Sequence, residues 1–514
     1  MLPVWGPNRK SARPDRLGNT SAMPNPPSKF DLPLALLLGV IALGCAWVYR
    51  NFTQDDAFIT YRYARNIAAG HGFVYNAGEP VLGTTTPLYT LVLALGGRLT
   101  GQAIHQIGYW LSTLSLWISG VTLYSLGKSR GAFSAAAIAL LFITNPLLIS
   151  SIGMETFFLL MLLLLALRSY AASRFTLTGV LLGLLILTRY ETILMAGLLG
   201  ADCLLRARRR PFWLAWTAVI VGAWLLYAWL TFGQVIPQSA IAKLTEQRLP
   251  FALGAALFWR LYTDQTAWSN ALLPLSLFGL YSALRQKWGE RAPAYLLLLI
   301  WSGVYGIAAS LYAGSFPWYY APLIPGFSIL VVWGLEFLTH FLSAPLRRLA
   351  IQEKALRYST ASAFALGAAG LIALHLFLWT RGWVSHNGQI VDTRYWVYRD
   401  LAEWLNRHAR AEDSLAASEI GVVGYYTELS IIDLHGLVTP GLTPWLAEDP
   451  VEIVRRAIDL YAPDYVLVTR QPVIADLLRS KNYRPVRSVG DQLDLYQRAS
   501  AAEPRTASPG HAPP

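Results

Sequence analysis

At 514 residues, 54% hydrophobic and only 14% charged, with a mean hydropathy of +0.39, the chain is too apolar for a soluble protein of its size. A net charge of +12 suits a nucleic-acid binder, but many of the basic residues stand in short loops between apolar runs, where they set membrane topology. The balance argues against a nucleic-acid partner and for a multi-pass α-helical membrane protein.

Residues 1–31 are rich in Pro, Asn, Ser and Arg and are expected to form a disordered tail without the apolar core of a signal peptide. Met23 offers a second start. Arg9, Lys10, Arg13, Arg16 and Lys29 favour a cytoplasmic N-terminus. The first span, 32–49, then leads outward to the acidic, aromatic stretch that begins Gln54-Asp55-Asp56. The apolar segment 86–99 is short and interrupted by Gly96 and Gly97, so a helix on the outer surface is expected there. Ten further spans are predicted at 104–126, 132–149, 156–167, 177–187, 192–205, 212–232, 271–284, 292–312, 320–341 and 361–379. With about 11 spans, each short inner loop carries a basic cluster; counting 86–99 as a span would put those clusters on the wrong side. Residues 32–380 thus form the membrane domain.

From 381 the charge rises. An amphipathic helix at 395–407, apolar runs at 430–434 and 465–469 and a helix at 452–461 predict a small extracytoplasmic α/β domain over 381–499. The tail 500–514 reads as disordered. Cys45 and Cys203 lie in apolar segments at opposite membrane faces, so no disulfide, zinc site or redox role is expected.

Ionisable and aromatic residues collect at the outer ends of the spans: Asp55, Asp56, Arg62, Glu155, Arg189, Glu191, Lys243, Tyr319 and Tyr320. Charged groups at membrane depth are costly and usually face a polar cavity. Two carboxylates beside arginines and a lysine suit a phosphate-bearing, lipid-linked substrate: the cations hold the phosphate and a carboxylate deprotonates an acceptor hydroxyl. Each residue also has a bland alternative. One Asp caps the following helix; Glu155 caps the span after it. Arg189 and Glu191 pair with each other at the interface. Tyr319 and Tyr320 belong to an aromatic belt. Lys243 is a solvated charge, and His435 is a turn residue. No nucleotide fingerprint is present. No cofactor is expected; adjacent carboxylates without further ligands make a weak divalent-metal site, and metal dependence stays open.

Asp55-Asp56-Ala57-Phe58-Ile59-Thr60-Tyr61-Arg62-Tyr63-Ala64, with the later Gly70-His71-Gly72-Phe73-Val74-Tyr75-Asn76-Ala77-Gly78-Glu79, resembles the first external loop of GT-C-fold membrane glycosyltransferases, in the group containing the actinobacterial cell-wall terminal arabinofuranosyltransferases. Met154-Glu155-Thr156 resembles that group's Leu-Glu-Thr. Leu187-Thr188-Arg189-Tyr190-Glu191 is similar to its Arg-Pro-Glu segment, with Tyr190 for the proline. Gly233 to Lys243 is similar to its Gly-x-x-x-Pro-Asn-Thr-x-x-x-Lys segment, with Gln238-Ser239 for Asn-Thr. Gly424-Tyr425-Tyr426 and Asp433-Leu434-His435-Gly436-Leu437 match its external domain.

The resemblance implies a polyprenyl-phosphate sugar donor, a glycan or lipid acceptor outside the cell (inner) membrane, and inversion at the anomeric centre. It makes Asp55 the base, lets Asp56 position substrate, and puts Arg189 and Lys243 on the donor phosphate. The two departures leave the sugar open. A transporter or flippase of lipid-linked glycan and a non-catalytic envelope assembly factor are the competing readings; the first lacks the repeated halves common in transporters.

Overall fold

The apolar runs fold as helices because nothing in them competes with the i→i−4 ladder, and each stops where glycine, proline or a basic cluster intervenes. The computed structural model describes residues 30–50, 54–206, 208–246, 256, 272–286, 294–310, 317–348, 353–381, 384–385, 389–390 and 393–499. The expected C-terminal tail, all but the last two residues of the expected N-terminal tail, and most of the expected outer loop between Lys243 and Asn270 lie outside these residues.

The helical region runs α1 (Asp31–Val48), α2 (Asp55–Ala68), α3 (Pro87–Thr100), α4 (Ile104–Gly127), α5 (Ala132–Ile143), α6 (Pro146–Ile149), α7 (Thr156–Ala171) and α8 (Phe175–Thr188). It continues through α9 (Ile193–Leu205), α10 (Leu214–Phe232), α11 (Gln238–Glu246), α12 (Leu273–Arg285), α13 (Ala294–Ser310), α14 (Ile324–Arg348) and α15 (Glu353–Arg381). Each of the eleven expected spans coincides with a helix or helix pair. Among the described residues four helical stretches are long and apolar enough to cross a membrane: Asp31–Val48, Leu214–Phe232, Ala321–Pro345 and Lys354–Phe377. The expected span 132–149 is broken. Asn145 accepts from the amides of Leu147 and Leu148 and Pro146 follows it, so α6 is a separately capped turn. The segment 86–99 is α3, which points Leu91, Leu95 and Leu99 outward from one face and buries Tyr89 and Leu93.

Helices α12 and α14 touch backbone to backbone. A Cβ on Gly279 would lie 1.9 Å from the Leu330 carbonyl oxygen, and one on Gly334 would lie 1.8 Å from that of Leu275. Small residues at such crossings are what let membrane-type helices approach closely.

The C-terminal region is an α/β unit: α16 (Thr393–His408), β1 (Ser414–Ala417), α17 (Gly421–Tyr426), β2 (Ser430–Asp433), α18 (Pro450–Tyr461), β3 (Tyr465–Thr469), α19 (Pro472–Ser480), β4 (Tyr483–Val489) and β5 (Leu493–Arg498). The sheet order is β2-β1-β3-β5-β4. Strands β2, β1 and β3 are parallel, and β5 and β4 pair antiparallel at the other side. Buried Leu415, Ala416, Val466 and Leu467 fill the central strands, which read as continuous apolar runs because both faces are covered.

Helix α2 joins the two regions. Phe58 meets the rings of Tyr61, Tyr395, Tyr425 and Tyr426, and α17 lies directly on it. Gly421 and Gly424, one turn apart on α17, make that approach possible: a Cβ on Gly421 would fall 1.9 Å from the Asp55 carbonyl oxygen, and one on Gly424 2.0 Å from the Tyr75 hydroxyl.

Candidate active site

Asp55 and Asp56 occupy the first turn of α2, but neither is its cap. That position is Gln54, which makes no side-chain capping bond. The carboxylate of Asp55 instead caps another helix. Its two oxygens accept from the amides of Gly421 (2.9 Å) and Val422 (2.8 Å) at the start of α17. Asp55 is 5% exposed. Burial pushes its carboxyl up to about 7, the charge of Glu419 adds to the shift, and the two amide bonds oppose it. With both oxygens engaged at α17, the Asp55 carboxylate joins the two regions and is not among the residues that line the chamber at Asp56.

Arg62 is likewise reassigned from substrate contact to scaffold. It is 3% exposed and donates to the carbonyls of Tyr75 (2.9 Å), Gly424 (2.6 Å) and Leu429 (2.8 Å). Asn76 completes the clasp by exchanging two bonds with the backbone of Ile431.

Asp56 faces the other way. It lines a narrow chamber of about 80 Å³ with Glu155, Arg189, Lys243, Tyr319 and the run Gly83-Thr84-Thr85-Thr86. Arg189, Lys243, Tyr319 and Thr85 also line a second, mainly apolar chamber of about 260 Å³, completed by Tyr190, Glu191, Tyr305, Ala308 and Ala309. The cations therefore stand at the seam between an acidic chamber and an apolar one.

Local structure fixes each group. Helix α8 ends at Thr188 and Arg189 is extended (φ −157°, ψ 126°) before a 3-10 turn, so its side chain leaves the helical row. Its Nε donates to Glu191 at 2.5 Å and its Nη1 to Glu155 at 3.3 Å. The Arg189–Glu191 pairing anticipated for the interface exists, but around a buried arginine. Glu155 sits at the start of α7 without capping it. Burial raises its carboxyl above the ordinary range, with Arg189 and Lys243 pulling it back. Lys243 Nζ lies 3.4 Å from the Tyr319 hydroxyl, and the Arg189 guanidinium sits over the Tyr319 ring at 4.9 Å.

Besides Asp55 and Arg62, two further expected residues are not in these chambers. Tyr320 is fully buried in the core. His435 lies in the turn after β2, where its amide donates to Asp433 Oδ1 at 2.9 Å and Gly436 takes a positive φ of 66°. Asp433 organises that loop, accepting from the amides of Leu437 and Val438 as well, and burial pushes its carboxyl up to about 6. The loop places Leu437 on the acidic chamber.

The Thr84–Thr86 run, Ser239 and Trp318 line the acidic chamber too, although none of them is among the site residues expected from the sequence. A polar Gly-Thr-Thr-Thr run directly before an apolar helix was the available signal. The buried Ser239 Oγ has no hydrogen-bond partner among the described residues. The two departures from the family pattern have local partners. Tyr190 accepts from Trp224 Nε1 at 2.8 Å, and Gln238 donates to the Gly436 carbonyl and Thr443. Among the described residues there is no cluster of three or more His, Cys, Asp or Glu suited to a metal ion.

A family model described only as a domain of unknown function (DUF8728) matches residues 387–507. A 104-residue segment is 34% identical to the terminal beta-(1->2)-arabinofuranosyltransferase of Corynebacterium glutamicum, covering 20% of this chain and 15% of that one. The enzyme of the same name from Mycobacterium tuberculosis is 29% identical over 102 residues, 20% of this chain and 16% of that one. The match thus spans under a fifth of these relatives. Whole-chain likeness is structural. ArnT from Cupriavidus metallidurans bound to undecaprenyl phosphate superposes with a TM-score of 0.61 at 16% identity, covering 93% of this chain and 99% of that one. The Archaeoglobus fulgidus oligosaccharyltransferase, tethered to an acceptor peptide, gives 0.52 at 12% identity, covering 86% and 69%. The chain has the GT-C-like fold: a body of membrane-type helices and a small C-terminal sheet domain.

Proposed function

We propose that the protein is an integral membrane glycosyltransferase that moves a sugar from a polyprenyl-phosphate carrier to a hydroxyl of a glycan or lipid acceptor. In this reading it sits in the cell (inner) membrane with its N-terminus in the cytoplasm, and both chambers and the C-terminal domain lie outside. The observation that carries the proposal is the seam at Arg189 and Lys243, with a carboxylate chamber on one side and an apolar chamber on the other.

The chemistry follows from that placement. The prenyl chain lies against Tyr305, Ala308 and Ala309, and the phosphate sits between Arg189 and Lys243. Asp56 takes the proton of the acceptor hydroxyl. The acceptor oxygen bonds to the anomeric carbon as the bond from that carbon to the phosphate oxygen breaks, and polyprenyl phosphate leaves. A single displacement with one base inverts the configuration. Arg189 and Lys243 neutralise the charge that grows on the departing phosphate. The undecaprenyl phosphate named for ArnT supports a donor of this class, and the arabinofuranosyltransferase segments support an envelope glycan as acceptor.

The test is reconstitution in lipid nanodiscs with polyprenyl-phosphate-linked pentoses and hexoses, with the product linkage read by NMR. Transfer from at least one donor with inverted configuration is expected. Translocation of the intact lipid-linked sugar without cleavage would instead identify a flippase.

A further inference from the structure

The C-terminal domain holds a cleft of about 560 Å³ that the proposed reaction does not use. Ser418 and Glu419, just after β1, and Thr469, at the end of β3, line one side. Asp491 and Gln492, in the β4–β5 turn, and Arg394 of α16 line the other. Its place in the topology is informative. From β1 the chain passes to β2 on one side of the sheet, and from β3 to β4 on the other. The cleft is therefore at the switch point, outside the carboxyl ends of the parallel strands, where open α/β sheets bind their ligands.

The usual occupant of such a position is an anion on a helix N-terminus. Here that seat is filled, because the Asp55 carboxylate accepts the first amides of α17. Glu419 and Asp491 make the cleft hostile to further negative charge, and Arg394 is already 3.6 Å from Glu419. What remains are hydroxyl, amide and carboxylate groups next to the apolar surface of Val397 and Tyr398. Among the described residues, the side chains of Ser418, Thr469, Asp491 and Gln492 make no hydrogen bond. The β4–β5 turn is held by its backbone instead, Arg470 donating to the carbonyls of Gln492 (2.7 Å) and Asp491 (3.3 Å). Its exposed side chains can therefore exchange water for a ligand rich in hydroxyl donors and acceptors. Glu419 is two residues from Gly421, whose amide donates to Asp55, so the cleft adjoins the junction between α17 and the start of α2.

We propose that this switch-point cleft binds a neutral saccharide, the distal part of the acceptor glycan, through Ser418, Thr469, Asp491 and Gln492. The identity of that saccharide as acceptor rests on the transferase reading; the existence of the site does not.

The experiment uses the full chain in nanodiscs, wild type and the double variant Asp491→Asn with Gln492→Ala, whose turn carbonyls stay in place. Saturation-transfer NMR measures binding of short neutral pentose and hexose oligosaccharides, with inorganic phosphate as the competing probe. Transfer assays compare an oligosaccharide acceptor with a single-sugar acceptor. Loss of the Gln492 amide together with the Asp491 charge should weaken oligosaccharide binding about tenfold. KM for the oligosaccharide acceptor should rise by the same factor, with kcat and the single-sugar KM unchanged. Wild-type oligosaccharide affinity in the variant, or binding of phosphate rather than saccharide, would overturn the proposal. Saccharide binding that depends on these residues in a chain that transfers no sugar leaves the cleft and removes the transferase. Transfer with an unaltered acceptor KM does the reverse.

Discussion

Successive residues of a helix project about 100° apart, so Asp55 and Asp56 leave α2 in different directions. Asp55 turns to the amides of Gly421 and Val422, 366 and 367 positions further along the chain; Asp56 lines a chamber together with Glu155, Arg189 and Lys243. Asp55→Ala should leave two buried amides unpaired, at about 1–3 kcal/mol each, and lower the thermal midpoint while Arg189 and Lys243 keep their places. The pH dependence has a definite sign. Because the folded carboxyl is raised from 3.8 to about 7, the folded chain binds more protons in that window, and stability declines as pH rises through it. Asp55→Asn should flatten that decline when the midpoint is followed by tryptophan fluorescence. Lys243→Met should raise KM for the lipid-linked donor about tenfold to a hundredfold, the worth of one charge-assisted contact, with little change in acceptor KM. The charged set was legible in the sequence because ionisable groups beside apolar runs are rare. Which Asp does which work was not, since the partner of Asp55 is a helix N-terminus that no local pattern pairs with it.

At the scale of elements, the helices were legible from apolar length alone, and their ends were less so. Asn145 and Pro146 divide one expected span into α5 and α6; the 3-10 turn Tyr190–Thr192 shortens the start of another; α15 begins well before the apolar run that announced it. These are effects of capping and proline that hydropathy does not sense. Helix crossings are equally hidden, because a glycine signals close approach without naming its partner. Gly334→Ala would push a methyl group into the Leu275 carbonyl, and overpacking of this kind typically costs about 1–3 kcal/mol. A matching fall in midpoint, with α12 and α14 moved apart, is expected. Gly424→Ala should act at the other junction, loosening the C-terminal domain from α2 and raising protease sensitivity there.

Across the whole molecule, α2 ties the chamber at Asp56 to the C-terminal domain. One face holds Asp56 in the chamber; the other is clamped by Asp55, Arg62 and the Phe58 ring cluster to α17 and its neighbours. An α/β domain after the helices was visible in the rise of charge and the short apolar runs. Its switch-point cleft was not, because β1, β3 and the β4–β5 turn meet only once the sheet order is set. The central claim is that Asp56, and not its neighbour, takes the acceptor proton. Its most direct test is the initial transfer rate of Asp56→Asn and Asp55→Asn, side by side in nanodiscs, with a polyprenyl-phosphate sugar that the wild type accepts. Loss of a positioned base predicts a fall of about a hundred- to ten-thousand-fold for Asp56→Asn with donor binding intact, and turnover within a few-fold of wild type for folded Asp55→Asn. An Asp56→Asn chain that transfers sugar at the wild-type rate would contradict the account.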